Sequence, residues 1–227
     1  MIMAKHGIVF DMDDTLYKEH RYRDSGYRTV ARHFAAVCGV TPDELYRVMT
    51  ADPAQAFEAV ERMAAERNVE VTVAQQLNVY RSHLPEISLD PEAEAVLAEL
   101  KRRGVPMALV TDGRAWGQLN KITSLGLDRF IDSDAIFATV LHDTDKHSPK
   151  PFMMAAEVLR GKGAETLTYV GDNPSKDFHH PNLMGWRTVM LRDRKDENIH
   201  RQRPTDWPAE YRATTTIDTL RELLRLV

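Results

Sequence analysis

Residues 7–15 read Gly7-Ile8-Val9-Phe10-Asp11-Met12-Asp13-Asp14-Thr15, a short apolar run followed by two aspartates one residue apart. Such a run is typical of a buried β-strand, and reactive groups in open α/β sheets collect just beyond the carboxyl ends of the strands. Side chains at positions i and i+2 of an extended chain point the same way, so Asp11 and Asp13 can serve one site. Two carboxylates 4 Å apart repel each other by about 4 kcal/mol at an effective dielectric constant near 20. The segment therefore predicts a strand that ends in an active site and needs a positive charge, for which a divalent cation is the obvious source.

After this strand the sequence from Lys18 to Leu89 carries helical patterns and no convincing strand. Helical spacing of apolar residues, a Thr-Pro start at 41–42 and two further amphipathic stretches at 54–67 and 73–83 predict four helices. The first of these has an apolar stripe formed by Tyr27, Val30, Ala31, Phe34 and Cys38. Four helices inserted after a single strand predict a separate helical domain at 17–88, within a core domain formed by 1–16 and 89–227.

The rest of the chain alternates between helical and strand patterns. Strands are expected at 105–110, 135–138, 167–170 and 187–191, and helices at 90–104, 115–124 and 151–160, with a terminal helix marked by Ile217, Leu220, Leu223, Leu224 and Val227. Strands that alternate with helices of this length predict a parallel, doubly wound α/β sheet of the Rossmann-like type.

The composition excludes several functional classes. The chain of 227 residues is 43% hydrophobic and 28% charged, as in an ordinary soluble globular protein. A net charge of −4 gives no electrostatic reason for nucleic-acid binding, and no segment has the apolar length of a membrane span. The amino-terminal residues do not resemble a signal peptide, and the single cysteine, Cys38, is consistent with a reducing compartment. We therefore expect a cytoplasmic protein without nucleic-acid or membrane partners.

Three further polar clusters lie where the predicted sheet would bring them together. Thr111-Asp112-Gly113 ends one strand, Lys150 lies just before a helix, and Gly171-Asp172 ends a late strand, with Asp177 close behind it. Hydroxyl, backbone N–H and ammonium groups at such places suit a phosphoryl group. The four acidic residues Asp11, Asp13, Asp172 and Asp177 would repel a phosphate that only Lys150 attracts, so the charge balance requires a divalent ion. Oxygen ligands and a phosphate partner favour Mg²⁺.

These four clusters, in this order, resemble the motifs of the haloacid dehalogenase-like hydrolase superfamily, and the helical insert is similar to the cap domain of many members. The resemblance implies that Asp11 is the nucleophile, which forms an aspartyl-phosphate, and that Asp13 is the general acid and base. It also implies a phosphate site formed by Thr111, Asp112 and Lys150. The implied Mg²⁺ ligands are Asp11, Asp13 (through its backbone carbonyl) and Asp172, with Asp177 beside the metal.

Within this superfamily, dehalogenases and the phosphonate-cleaving branch lack the second aspartate, so Asp13 indicates a phosphatase. The resemblance implies a small phosphorylated metabolite as the substrate. There are two alternatives: a sugar-phosphate mutase that keeps both aspartates, and a non-catalytic binding domain that retains the fold. The chain is expected to be a monomer or a homodimer.

Several other polar groups have an ordinary structural interpretation. Asp14 is expected to cap the turn after the first strand, and the mixed-charge stretch 192–203 is expected to be a solvated surface loop. For the polar loop 142–147 a solvated loop is the default interpretation. Arg114 and the segment 17–23 are open to either a substrate contact or ordinary surface packing.

Overall fold

The computed structural model describes residues 5–203 and 206–227 and contains a six-stranded sheet. Its strands are β1 (His6–Phe10), β2 (Met107–Thr111), β3 (Ile136–Ala138), β4 (Thr166–Gly171), β5 (Arg187–Leu191) and β6 (Thr215–Ile217). The first four residues, which belong to the segment in which no signal peptide is expected, lie outside the described residues.

All neighbouring strands are parallel, and their order is β3-β2-β1-β4-β5-β6. The chain therefore runs outward from β1 in one direction and then returns to the other side of β1. At this switch point Phe10 of β1 is aligned with Leu109 of β2 and with Val170 of β4. In doubly wound sheets ligands bind at such a point, beyond the carboxyl ends of the strands. The predicted fold class is confirmed.

Helices lie in the connections between the strands of this sheet. They are α5 (Pro91–Arg102), α6 (Ala115–Leu125), α7 (Lys150–Gly161) and the short α8 (His179–Leu183). Helix α5 begins with Pro91 at its first position and buries Ala93, Val96, Leu97 and Leu100. Helix α6 ends at Gly126, whose φ of +60° is the left-handed conformation that favours glycine at a helix end.

Between β1 and β2 lie four further helices: α1 (Glu19–Phe34), α2 (Pro42–Ala51), α3 (Ala56–Ala65) and α4 (Val73–Ser82). The chain divides into two compact units, of which the inserted one is Arg21–Ile87 and the other comprises the described residues on both sides of it. The insert has its own core, built on Val30, Leu45, Met49 and Val60. Reciprocal capping pairs, Thr41–Glu44 and Thr72–Gln75, fix the starts of α2 and α4.

The carboxyl-terminal segment differs from its prediction. Instead of one terminal helix, Thr215–Ile217 pairs with β5 as a sixth strand, and Leu220–Arg225 forms a 3₁₀ helix. The β-branched residues 215–217 favour an extended chain. The leucines that follow are spaced as in a helix, and the predicted helix therefore included Ile217. No helix among the described residues is long and apolar enough to cross a membrane.

Candidate active site

Three aspartates meet at the carboxyl edge of the central strands. Asp11 directly follows β1, and Asp172 and Asp177 follow β4. Each of them is buried, and one carboxylate oxygen from each lies within 4.8 Å of those of the other two. Gly171 permits the close approach, because a Cβ atom at this position would lie 2.5 Å from Asp177 Oδ2. The structure thus brings together three of the four acidic residues that the sequence analysis placed at a metal site.

The lysine in this cluster is Lys146. Its ammonium, which is fully buried, donates to Asp11 Oδ1 and, at 2.8 Å, to Asp177 Oδ1. Lys150, which the sequence analysis assigned to this position, is exposed at the start of α7 and donates to the carbonyl oxygen of His142 at 2.5 Å. The Ser-Pro-Lys-Pro pattern marks the beginning of the helix correctly, but the lysine that reaches the carboxylates belongs to the preceding turn. That turn is part of the polar loop for which solvation was the default expectation.

Thr111 and Asp112, at the end of β2, have different environments. Thr111 is buried, and its hydroxyl oxygen has no hydrogen-bond partner among the described residues. This oxygen is therefore suited to a ligand at the same edge of the sheet. The Asp112 carboxylate accepts hydrogen bonds from the Thr139 hydroxyl (2.7 Å) and the Lys146 backbone N–H (3.2 Å). The Asp112 side chain thus fixes the turn that carries Lys146, and its predicted contact with a phosphate stays a prediction.

Asp13 lies apart from the triad and is held by three side chains. Lys121 Nζ lies 2.8 and 2.9 Å from its two carboxylate oxygens, the Tyr17 hydroxyl donates at 2.5 Å, and Gln118 Nε2 donates at 3.2 Å. Burial alone would raise the pKa of Asp13, but the Lys121 ammonium and these hydrogen bonds hold it below its ordinary value. Lys121 and Gln118 are not among the predicted site residues, because their spacing on α6 indicates a helix and nothing more.

The triad is electrostatically unbalanced. Burial raises the pKa of Asp11 to about 7 against the attraction of Lys146, and burial together with the neighbouring Asp177 raises that of Asp172 well above its ordinary value. Three ionised carboxylates with one ammonium leave a net charge of −2. A divalent cation removes that excess, and the oxygen donors match the preference of Mg²⁺ for hard ligands. The residues present therefore fit a magnesium ion.

Part of the mixed-charge stretch 192–203 also belongs to the site. Asn198 is buried, and its side-chain amide donates to Asp172 Oδ2 at 2.8 Å, while Gln202 Nε2 donates to the Asp172 backbone carbonyl at 3.0 Å. The expectation of a solvated loop is therefore wrong for these two residues. The sequence does not single out Asn198 and Gln202, because their charged neighbours give the stretch the composition of an exposed loop.

Comparison with known proteins assigns the family. A model of the family "Haloacid dehalogenase-like hydrolase" matches residues 8–191. The chain belongs to this family.

Its relatives in the haloacid dehalogenase-like family include several phosphatases. The chain is 26% identical to a glyceraldehyde 3-phosphate phosphatase of Methanopyrus kandleri, with 97% of this chain and 96% of that protein covered. It is 30% identical to a ribulose-1,5-bisphosphate 5-phosphatase of Halopiger xanaduensis over 65% of this chain and 60% of that protein. These relatives and the family identify the chain as a phosphoric monoester hydrolase.

Solved structures of the family share the fold. The putative hydrolase YfnB from Bacillus subtilis, described as bound to magnesium, superposes with a TM-score of 0.65 at 18% identity and covers 98% of both chains. The L-2-haloacid dehalogenase from Xanthobacter autotrophicus superposes with a TM-score of 0.61 at 18% identity and covers 99% of this chain and 98% of that one. At these identities the likeness establishes the architecture and not the reaction.

Proposed function

We propose that the protein is a Mg²⁺-dependent phosphatase that hydrolyses a small-molecule phosphomonoester through an aspartyl-phosphate on Asp11. The observation that carries this proposal is the buried cluster in which Lys146 joins Asp11 to Asp177 beside Asp172. A carboxylate nucleophile, an ammonium and a cation site at one strand edge are what transfer of a phosphoryl group to an enzyme requires.

In the first half-reaction Asp11 attacks the phosphorus atom. A bond forms between a carboxylate oxygen of Asp11 and phosphorus, and the ester P–O bond breaks. Asp13, whose pKa is lowered in the free protein, takes up a proton from the substrate monoanion or from water before this step and gives it to the leaving oxygen. In the second half-reaction Asp13 takes a proton from water as the water oxygen attacks phosphorus, which releases inorganic phosphate and restores Asp11. The Lys121, Tyr17 and Gln118 contacts hold the Asp13 carboxylate in one orientation for both transfers.

The phosphoryl oxygens are bound by Lys146 and Thr111. The Thr111 hydroxyl, which is buried and has no hydrogen-bond partner in the part of the chain that the structure describes, donates to one of them, and the Lys146 ammonium offsets their charge. Asp11, Asp172 and the Asp13 backbone carbonyl would hold Mg²⁺, with Asp177 orienting Lys146. Bound Mg²⁺ supplies charge neutralisation, which lowers the repulsion between the Asp11 carboxylate and the phosphate dianion.

The relatives suggest where to look for the substrate. Proteins similar to this chain are named for glyceraldehyde 3-phosphate, ribulose 1,5-bisphosphate and phosphoserine. We propose a phosphorylated metabolite of this size, and a panel of sugar phosphates, phosphorylated amino acids and nucleotides, assayed for inorganic phosphate, tests it. Conversion of a sugar phosphate into its isomer without phosphate release would instead identify a mutase, and no turnover across the panel with Mg²⁺ supplied would contradict catalysis.

Removal of metal is expected to abolish phosphate release, because the net charge of the triad then repels the phosphate dianion. Excess EDTA should lower turnover to background, and added Mg²⁺ should restore it. Magnesium at about 100 times its dissociation constant should also stabilise the fold by about 2.7 kcal/mol, measured as an increase in the urea midpoint. EDTA already saturated with Mg²⁺ is the control and should leave activity unchanged. Full activity in excess free EDTA would contradict the metal requirement.

A further inference from the structure

We propose that Asn198 is a positioning residue for the metal site: its amide holds the Asp172 carboxylate in the orientation that binds the cation. The inference rests on the proposed function, since it assumes that Asp172 is a magnesium ligand. It assigns a role in the site to a loop that lies outside all four motifs and has the composition of an exposed segment.

Asn198 is held in place by hydrogen bonds within its loop and from its loop to the residues after the strands. Its backbone N–H donates to Asp193 Oδ2 at 2.8 Å, and the backbone N–H of Ile199 donates to Asp14 Oδ2 at 2.9 Å. Gln202 closes the loop, since its amide nitrogen donates to the carbonyl oxygens of Asp172 (3.0 Å) and Leu191 (2.6 Å). Contacts of Ile199 and Gln202 therefore fix the loop beside the residues that follow β1 and β4 and the end of β5.

The orientation of the Asn198 amide is fixed by its two partners. Lys18 Nζ donates to Asn198 Oδ1 at 2.5 Å, and Asn198 Nδ2 donates to Asp172 Oδ2 at 2.8 Å. An ammonium can only donate, so the amide oxygen must face Lys18 and the amide nitrogen faces Asp172; the Asp172 carboxylate, which is ionised when it binds a cation, can only accept. Lys18 thereby directs the amide N–H group towards Asp172.

A neutral donor suits a metal ligand better than a cation would. Asp172 forms no ion pair within the described part of the chain, whereas Asp11 and Asp177 both pair with Lys146. An amide fixes one oxygen of the Asp172 carboxylate and leaves its charge, and its second oxygen, for a cation. Outer partners of this kind orient metal ligands, and their loss commonly costs about 10–100-fold in metal affinity or activity.

The test is magnesium binding itself, measured by isothermal titration calorimetry on the full chain after treatment with EDTA. Asn198→Ala is expected to raise the magnesium dissociation constant about tenfold or more. Its melting temperature without metal should stay close to that of the wild type, and excess Mg²⁺ should restore most of kcat. Lys18→Met is expected to weaken binding in the same direction, because the amide then loses the partner that fixes its orientation. Glu197→Gln, an exposed neighbour in the same loop, is the matched control and should bind Mg²⁺ like the wild type.

The outcomes separate this inference from the proposed function. If the wild type binds Mg²⁺ and releases phosphate while Asn198→Ala binds Mg²⁺ within twofold of it, the role of Asn198 is contradicted and the function stands. If Asn198→Ala proves unstable without metal, Lys18→Met decides the question by the same criterion. A wild-type protein that neither binds Mg²⁺ nor releases phosphate contradicts the proposed function and with it this inference.

Discussion

Asp11→Asn is expected to lower phosphate release by a factor of roughly 10⁴ or more, the scale on which loss of a nucleophile reduces enzymatic turnover. A neutral amide oxygen is a far weaker nucleophile than a carboxylate, and the substitution also removes one charge from the cation site. The measurement is the kcat for phosphate release on whichever substrate the panel identifies. The same variant should no longer incorporate radioactive phosphate into acid-quenched protein, because no aspartyl-phosphate can form.

The fold of this variant should survive. Burial raises the pKa of Asp11, so the ionised carboxylate destabilises the folded state at neutral pH, and an amide of the same shape relieves that repulsion. Lys146 keeps Asp177 as its partner. The free energy of unfolding, measured with urea in EDTA, should therefore equal or exceed that of the wild type. Asp43→Asn, at an exposed position of the helical insert, is the control and should leave kcat unchanged. Turnover by Asp11→Asn above about a tenth of the wild-type rate would contradict the nucleophilic role.

The sequence predicted the parts of the site that follow strands. Asp11, Thr111 and Asp172 lie directly beyond or at the ends of β1, β2 and β4, and the predicted ends of these strands lie within one residue of the observed ends. The doubly wound topology then explains why the three ends meet, because β1 lies between β2 and β4. Local patterns and one topological rule were sufficient for this part of the site.

Residues carried by turns and loops could not be placed in the same way. Lys146 and Lys150 lie four residues apart in one polar segment, and no periodicity shows which of them turns inwards. In the structure Asp112 determines which lysine lies inside, because its carboxylate accepts a hydrogen bond from the Lys146 backbone N–H and so fixes this turn. Asn198 is likewise placed by contacts to residues distant in sequence, Lys18 and Asp172. Such contacts depend on the assembled fold, which the sequence of the loop alone does not specify.

The variants Lys146→Met and Lys150→Met test which of the two lysines binds the buried carboxylates. Of the variants proposed, Lys146→Met is expected to change stability most. Methionine replaces the aliphatic stem of lysine closely and removes only the charged end. In Lys146→Met, Asp11 and Asp177 lose their buried ammonium partner, which should reduce the free energy of unfolding in EDTA by about 3–5 kcal/mol. Loss of one positive contact to the transferring phosphoryl group should lower kcat about 10²–10³-fold. Both quantities are measured by urea denaturation and by phosphate release.

Lys150→Met is the matched control, because Lys150 is exposed and its ammonium binds only the His142 carbonyl oxygen among the contacts described. Its stability should change by less than about 0.5 kcal/mol, as surface substitutions usually do, and its kcat by less than twofold. Magnesium should recover part of the stability lost in Lys146→Met, since a divalent cation opposes the same carboxylate repulsion. If Lys150→Met instead lost activity while Lys146→Met kept it, the placement of the two lysines would be reversed and the phosphate site would have to be rebuilt around the start of α7.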